Sequence, residues 1–176
     1  MVTIVTGERG IGKTSFLLRE ITALRKIGSV GGILTPGNFG NQHEKTGFNA
    51  LDVSTGSQWL LGSIDTNLKG PVFGPFSFSS EGFTRAVASC TAALLRQDDF
   101  IFLDEIGPLE LERDEGFAPV FPLLPQASGK SSLCIVVRPS LITQVVQRIF
   151  PKVPCRTIEV TQENRDDSRF RLFNRL

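Results

Sequence analysis

Residues Gly7-Glu8-Arg9-Gly10-Ile11-Gly12-Lys13-Thr14 satisfy the pattern GxxxxGK[ST] at every fixed position. The spacing has a chemical reason. Glycines let the backbone wrap an anion with several N–H groups pointing inward. A helix starting at Lys13 then aims its free N–H donors and its partial positive charge at the same anion. In such a loop Lys13 reaches the β- and γ-phosphates and the Thr14 hydroxyl is a Mg²⁺ ligand. Ser15, in the first helical turn, belongs with the phosphate-binding set. The expected ligand is the polyphosphate of ATP, GTP or another nucleoside triphosphate with Mg²⁺. The competing reading is a glycine turn that binds nothing, and it weakens once a strand precedes the loop and a helix follows it.

A second acidic element stands at Asp104-Glu105, directly after the apolar run Phe100-Ile101-Phe102-Leu103. A carboxylate at the carboxyl end of a parallel strand faces the crevice where ligands bind. Asp104 is therefore the metal-ligand candidate beside Thr14, and Glu105 the candidate to orient or deprotonate water. Neighbours on a strand point to opposite faces. Glu105 thus needs a turn to reach the phosphates, and Gly107-Pro108 is expected to supply it. A strand ending in acids is common by itself; its pairing with the glycine loop makes it specific. For charge developing on a γ-phosphoryl group, Arg138, after an apolar strand, and Arg9, inside the loop, are candidates. Arg113, after the acidic block, is a further one. Asn164-Arg165 is expected to open a last helix near the phosphate loop and to touch the base; the alternative is a cap formed by Asn164 or Thr161.

The elements that must position these residues follow from hydrophobic periodicity. Val2–Thr6 reads as a buried strand. Leu17, Ile21, Leu24 and Ile27 recur at helical spacing until Gly28. Strands are expected at Gly32–Thr35, Phe48–Val53 and Gln58–Ile64, the last two forming a hairpin around Ser54-Thr55-Gly56-Ser57. The cluster Phe73, Phe76, Phe78 and Phe83 reads as local core rather than a base-stacking platform. Phe83, Val87, Thr91 and Leu94 mark a helix face beginning at Ser80. Phe100–Leu103 and Leu133–Val137 are continuous apolar strands of the kind buried on both faces of a parallel sheet. Helices are expected over 115–124, with Pro119 and Pro122 against it, and over Pro139–Ile149. A strand at Arg156–Val160 precedes a final helix, Asn164–Leu176, with Phe170, Phe173 and Leu176 inward. Alternating strands and helices predict one α/β domain over 1–176, its mostly parallel sheet flanked by helices. An antiparallel hairpin is added within an insertion at about 29–78.

Three blocks carry a family resemblance: the phosphate loop, Asp104-Glu105-Ile106-Gly107-Pro108-Leu109-Glu110-Leu111, and Val160-Thr161-Gln162-Glu163-Asn164-Arg165-Asp166. In order and approximate spacing they resemble the THEP1-type nucleoside-triphosphatases over nearly the whole chain. The acidic block is the most specific of the three. The resemblance implies a RecA-like P-loop fold and slow, Mg²⁺-dependent hydrolysis of nucleoside triphosphates with broad base acceptance. Two positions depart from the family pattern. Where an acidic-then-arginine segment usually follows the second strand, this chain reads Gly32-Ile33-Leu34-Thr35-Pro36-Gly37-Asn38. Where a tyrosine often follows the glycine near position 74, it has Phe76, and it contains no tyrosine at all.

Composition excludes several other classes. Hydrophobic residues make up 40% and charged residues 21%, with a formal net charge of +1, so nothing marks a strongly basic nucleic-acid binder. Cys90, Cys134 and Cys155 form no CxxC pair and read as small buried hydrophobes. His43 sits alone in a polar stretch. No apolar run approaches the roughly 18 residues of a membrane span, and no signal-peptide pattern opens the chain. The expectation is a soluble protein of the reducing cytoplasm, with nothing to name a protein partner. Three rival functions remain, the plainest a nucleotide-dependent binding module with no useful turnover. Asp104-Glu105-Ile106-Gly107 is literally DxxG and Asn164-Arg165-Asp166-Asp167 approximates NKxD, as in a GTP switch. A small-molecule or nucleotide kinase would need an acceptor pocket, for which 36–78 is the available region.

Overall fold

The computed structural model describes residues 1–167 and 169–173. Five strands form its parallel half: β1 (Val2–Thr6), β2 (Val30–Leu34), β8 (Phe100–Ile106) and β9 (Ser132–Val137), all with buried centres, and the edge strand β10 (Cys155–Glu159). Along β8, Ile101 and Leu103 enter one core cluster and Phe100 and Phe102 the other; on β9, Leu133, Ile135 and Val137 alternate with Cys134 and Val136 in the same way. Successive side chains point to opposite faces, so an unbroken apolar run fills two cores only when both faces are covered. α1 (Lys13–Leu24) covers one face with Phe16, Leu17, Ile21 and Leu24. α2 (Ser80–Arg96) and α5 (Ile142–Ile149) cover the other. Short helices α3 (Pro108–Arg113) and α4 (Leu124–Ala127) complete the chain order.

The antiparallel half holds β3 (Gly37–Phe39), β4 (Lys45–Asp52), β5 (Gln58–Ser63), β6 (Lys69–Phe73) and β7 (Phe76–Ser79). Among the described residues the strands form a single sheet of order β10-β1-β9-β8-β2-β4-β5-β7-β6, with β3 paired to β4. The expected β4–β5 hairpin is present and continues the sheet through β2, where Ile33 pairs with Asp52. The sequence reading missed a second hairpin, β6–β7, because Pro71 and Pro75 mask its alternation. Proline removes a ladder donor, and β6 tolerates it as the strand at the sheet's edge.

Three expected helices differ. The buried stripe of α2 is Phe83, Ala86, Cys90, Ala93 and Leu94, rotated from the predicted one. Residues 118–123 form a 3₁₀ helix leading into α4, as the prolines demand. Thr161 to Phe173 forms no helix among the described residues. Its side chains bond their own backbone instead: Thr161 N–H donates to Asn164 Oδ1 at 2.8 Å, and Arg169 N–H to Asp167 Oδ1 at 2.8 Å. Such local bonds compete with helix formation. The segment still docks, because Leu172 and Phe173 are buried and Leu172 N–H donates to Glu20 Oε2 at 2.8 Å. The predicted inward position of Leu176 lies outside the described residues. No helix among the described residues is long and apolar enough to cross a membrane.

Candidate active site

The phosphate loop is set by what surrounds it. A Cβ on Gly7, at φ +137°, would lie 2.4 Å from the Val160 carbonyl oxygen, so no side chain fits there. Gly12 caps α1 in the left-handed region, at φ 98°, which glycine adopts without steric penalty. No side chain caps this helix and no acidic residue stands in its first turn. The first N–H groups of a helix have no intrahelical partner, and here they open toward a chamber of about 580 Å³. Gly7, Glu8, Arg9, Gly10, Gly12, Lys13, Thr14 and Ser15 line that chamber; Ile11 turns away to pack against the core under α1.

Lys13 Nζ donates to the carbonyls of Gly7 at 2.9 Å and Glu8 at 2.8 Å, which holds the ammonium across the loop. Thr14 Oγ1 donates to Asp104 Oδ2 at 2.9 Å, and the Thr35 N–H points to the same oxygen at 3.3 Å. Asp104 is buried. Burial, followed by the nearby Glu105 charge, pushes its carboxyl up to about 6, against the opposing bonds from Thr14 and Thr35 and the charge of Lys13. Desolvation lowers the Lys13 ammonium below its usual range, opposed by Glu105 and Asp104.

Glu105 lines the same chamber as Asp104, although the two are adjacent on a strand. The expected turn at Gly107-Pro108 is not the cause. β8 continues to Ile106, and its pairing with β9 slips: Leu103 meets Ile135 and Ile106 meets Val137, so β8 carries one extra residue. A bulge of this kind re-aims side chains. Arg138, just beyond β9, donates from Nε (3.0 Å) and Nη2 (2.8 Å) to Glu105 Oε1. The glutamate is thereby oriented, with Oε2 outside that pair.

The other sequence candidates fall elsewhere. Asn164 spends both ends of its amide within a turn, accepting from Thr161 N–H and donating to the Glu159 carbonyl at 2.9 Å. Arg165 Nη1 donates to the Ile11 carbonyl at 3.2 Å, behind the phosphate loop rather than in the chamber. The alternative, a helix cap formed by Asn164 or Thr161, is not met either: no helix follows among the described residues, and the two side chains close a turn. Arg113 is engaged with the Val72 carbonyl at 2.9 Å.

The antiparallel half supplies a wall that the sequence reading did not assign to the site. Phe39, Phe48, Phe73, Phe76 and Phe78 line the chamber, with Lys45 among them. Phe83 is buried away from the chamber, in keeping with a core role, but Phe73, Phe76 and Phe78 serve both core and chamber. A lone lysine in a polar stretch, before the position where the strand was expected to begin, carried no signal.

A glycine loop with an uncapped helix, a lysine across it, a hydroxyl–carboxylate pair and an oriented glutamate have the donors and charges that a polyphosphate with a hard cation requires. Comparison with known proteins agrees. A family model described as NTPase matches residues 2–173. The chain belongs to the THEP1-type nucleoside-triphosphatase family. THEP1 of Methanothermobacter thermautotrophicus is 29% identical over 177 residues, covering 100% of this chain and 96% of that one. THEP1 of Methanosarcina barkeri is 30% identical, covering 97% of this chain and 94% of its own length. Among solved structures, THEP1 from Aquifex aeolicus superposes with a TM-score of 0.68 at 24% identity, over 94% of this chain and 93% of that one. A human cancer-related nucleoside triphosphatase gives 0.63 at 23%, over 93% and 90%. At these identities the two structures establish the shared fold. For this THEP1-type chain, the fold and the P-loop anticipated from sequence stand.

Proposed function

We propose that the protein hydrolyses nucleoside 5′-triphosphates to the diphosphate and phosphate, with Mg²⁺ and with little discrimination between bases. The observation that carries this reading is the meeting of Lys13, the Thr14–Asp104 pair and Glu105 in one chamber. Thr14 Oγ1 and Asp104 Oδ2 are hard oxygen donors, and a cation beside them would relieve the cost of the buried charge. Mg²⁺ is commonly held by one or two protein oxygens plus phosphate and water. The donor set suits it, and no cluster of three or more His, Cys, Asp or Glu exists among the described residues to favour a fully caged ion. When bound there, Mg²⁺ neutralises phosphate oxygens.

The chain's own residues do the rest. The loop N–H groups and Lys13 hold the β- and γ-phosphates. Glu105 Oε2, free of the Arg138 pair, orients the attacking water and takes its proton. Loose base selection is supported by Asn164, whose amide is held in a turn by Thr161 and the Glu159 carbonyl and does not line the chamber. That same observation weakens the GTP-switch reading.

The test is phosphate release from ATP, GTP, CTP and UTP, with Mg²⁺ and with a chelator, for wild type and Lys13→Ala. All four should turn over within roughly 10²-fold of one another, the discrimination that a dedicated hydrogen-bonding site would exceed. Chelation should stop the reaction, and Lys13→Ala should lose at least about 10²-fold. Metal-independent turnover, or full activity without Lys13, would end the proposal.

A further inference from the structure

We propose that Lys45 is a catalytic residue: the cation through which the antiparallel half of the sheet meets the γ-phosphoryl group during hydrolysis. This inference rests on the hydrolytic reading above.

Lys45 opens β4, opposite Phe39 in register. Its stem lies over Gly37, where an added Cβ would sit 2.8 Å from Lys45 Cε. Its ammonium sits 3.7 Å from the centroid of the Phe48 ring. That ring is itself fixed by Phe76, edge-on at 4.9 Å, and by Phe78 at 6.0 Å. The side chain is half-buried, lines the phosphate chamber, and is in none of the ion pairs found among the described residues. An aromatic face attracts an ammonium without neutralising it. The result is a positioned, partly desolvated positive charge facing a loop built for phosphate.

The charges nearest Lys45 belong to the chamber that it lines. They are Glu105, Asp104, Arg9 and Arg138. The other cations have different placements. Lys13 belongs to the loop and reaches across it. Arg138 is tied to Glu105 by two hydrogen bonds, and Arg9 is exposed on the loop. Lys45 alone among these four comes from the antiparallel strands.

The reaction creates a demand for such a charge. Water oxygen bonds to the γ-phosphorus, and a water proton passes to Glu105. The bond from that phosphorus to the β–γ bridging oxygen breaks, its electron pair leaving on the diphosphate. Charge on the transferring group spreads over its three equatorial oxygens in the transition state. A preorganised ammonium in a chamber shielded by phenylalanines stabilises that distribution more than the ground state.

The experiment compares steady-state phosphate release by wild type, Lys45→Ala, Lys45→Met, Lys45→Arg and Gly37→Ala. Lys45→Ala should lose roughly 10²–10³-fold in kcat, with KM for Mg²⁺·ATP changed by less than about three-fold. Lys45→Met keeps the stem over Gly37 and the Phe48 contact, so it should lose as much while melting like wild type. Lys45→Arg keeps the charge and should recover most of kcat. Gly37→Ala leaves the lysine in place but displaces its stem, and should fall between. Trapping with ADP and aluminium fluoride, a mimic of the transition state, should weaken in Lys45→Met while ATP binding does not. Wild-type kcat in Lys45→Met overturns the proposal, and so does a raised KM at unchanged kcat, which would confine Lys45 to ground-state binding. A wild-type protein that does not hydrolyse any triphosphate overturns the hydrolytic reading itself, a result distinguishable because it appears before any variant is made.

Discussion

Substituting Asp104 with asparagine removes a carboxylate that folding places out of water, and the structure gives the size of the effect. Its carboxyl rises from 3.8 to about 6 on folding. At about 1.4 kcal/mol per unit, the shift corresponds to roughly 3 kcal/mol of destabilisation at pH 8, net of the two hydrogen bonds that oppose it. The sign is that of an acid with a raised pKa: the folded protein holds the proton more tightly, so the related stability is whole below about pH 4 and lost as pH rises through about 6. Asparagine keeps an acceptor for the Thr14 hydroxyl and the Thr35 N–H while carrying no charge. Urea unfolding with chelator present should therefore find Asp104→Asn more stable than wild type at pH 8, by up to about 3 kcal/mol, and nearly equal to it, within about 1 kcal/mol, at pH 4. Adding Mg²⁺·ADP should reverse the order at pH 8, because a ligand that binds only the native state stabilises whichever protein binds it better. Asp104→Asn should also need more Mg²⁺ for turnover. Equal stability of the two proteins at pH 8, or a difference independent of pH, would refute the electrostatic account.

Two more variants probe other parts of the argument. Glu105→Gln should keep Mg²⁺·ATP affinity within a few-fold while turnover falls by about 10²–10⁴-fold, measured by direct binding and by phosphate release; wild-type turnover would make Glu105 a bystander. Glu20→Ala deletes the buried acceptor of the Leu172 N–H, leaving that donor unsatisfied, and should cost about 1–3 kcal/mol in chemical denaturation. An unchanged unfolding midpoint would show that the docking of the chain's last described turn does not depend on Glu20.

The most legible part of this protein was the part whose geometry is local. From Gly7 to Thr14 the positions of the glycines, the lysine and the threonine dictate a loop whose shape depends on its own backbone and the helix it opens, so spacing alone was enough. The buried strands were equally readable, since runs such as Phe100–Leu103 are stable only between two covered faces. Asp104 could be assigned because the strand end and the loop meet in any parallel sheet of this order.

The rest needed partners distant in the chain. The direction of Glu105 depends on a one-residue slip against β9 and on Arg138, 33 residues away. The segment after Thr161 looked helical from its apolar spacing, but turn-forming side chains and the pull of Glu20 on Leu172, 152 residues apart, decided otherwise. Lys45 and the phenylalanine wall reached the chamber only because β4 pairs with β2 and carries the antiparallel strands to the phosphate side. Sequence alone determined the glycine loop and the helix it opens, because a loop's own covalent geometry encodes them. Which charges and rings line the chamber beside that loop was decided by strand pairing, an energy that belongs to pairs of segments and is written in neither one separately.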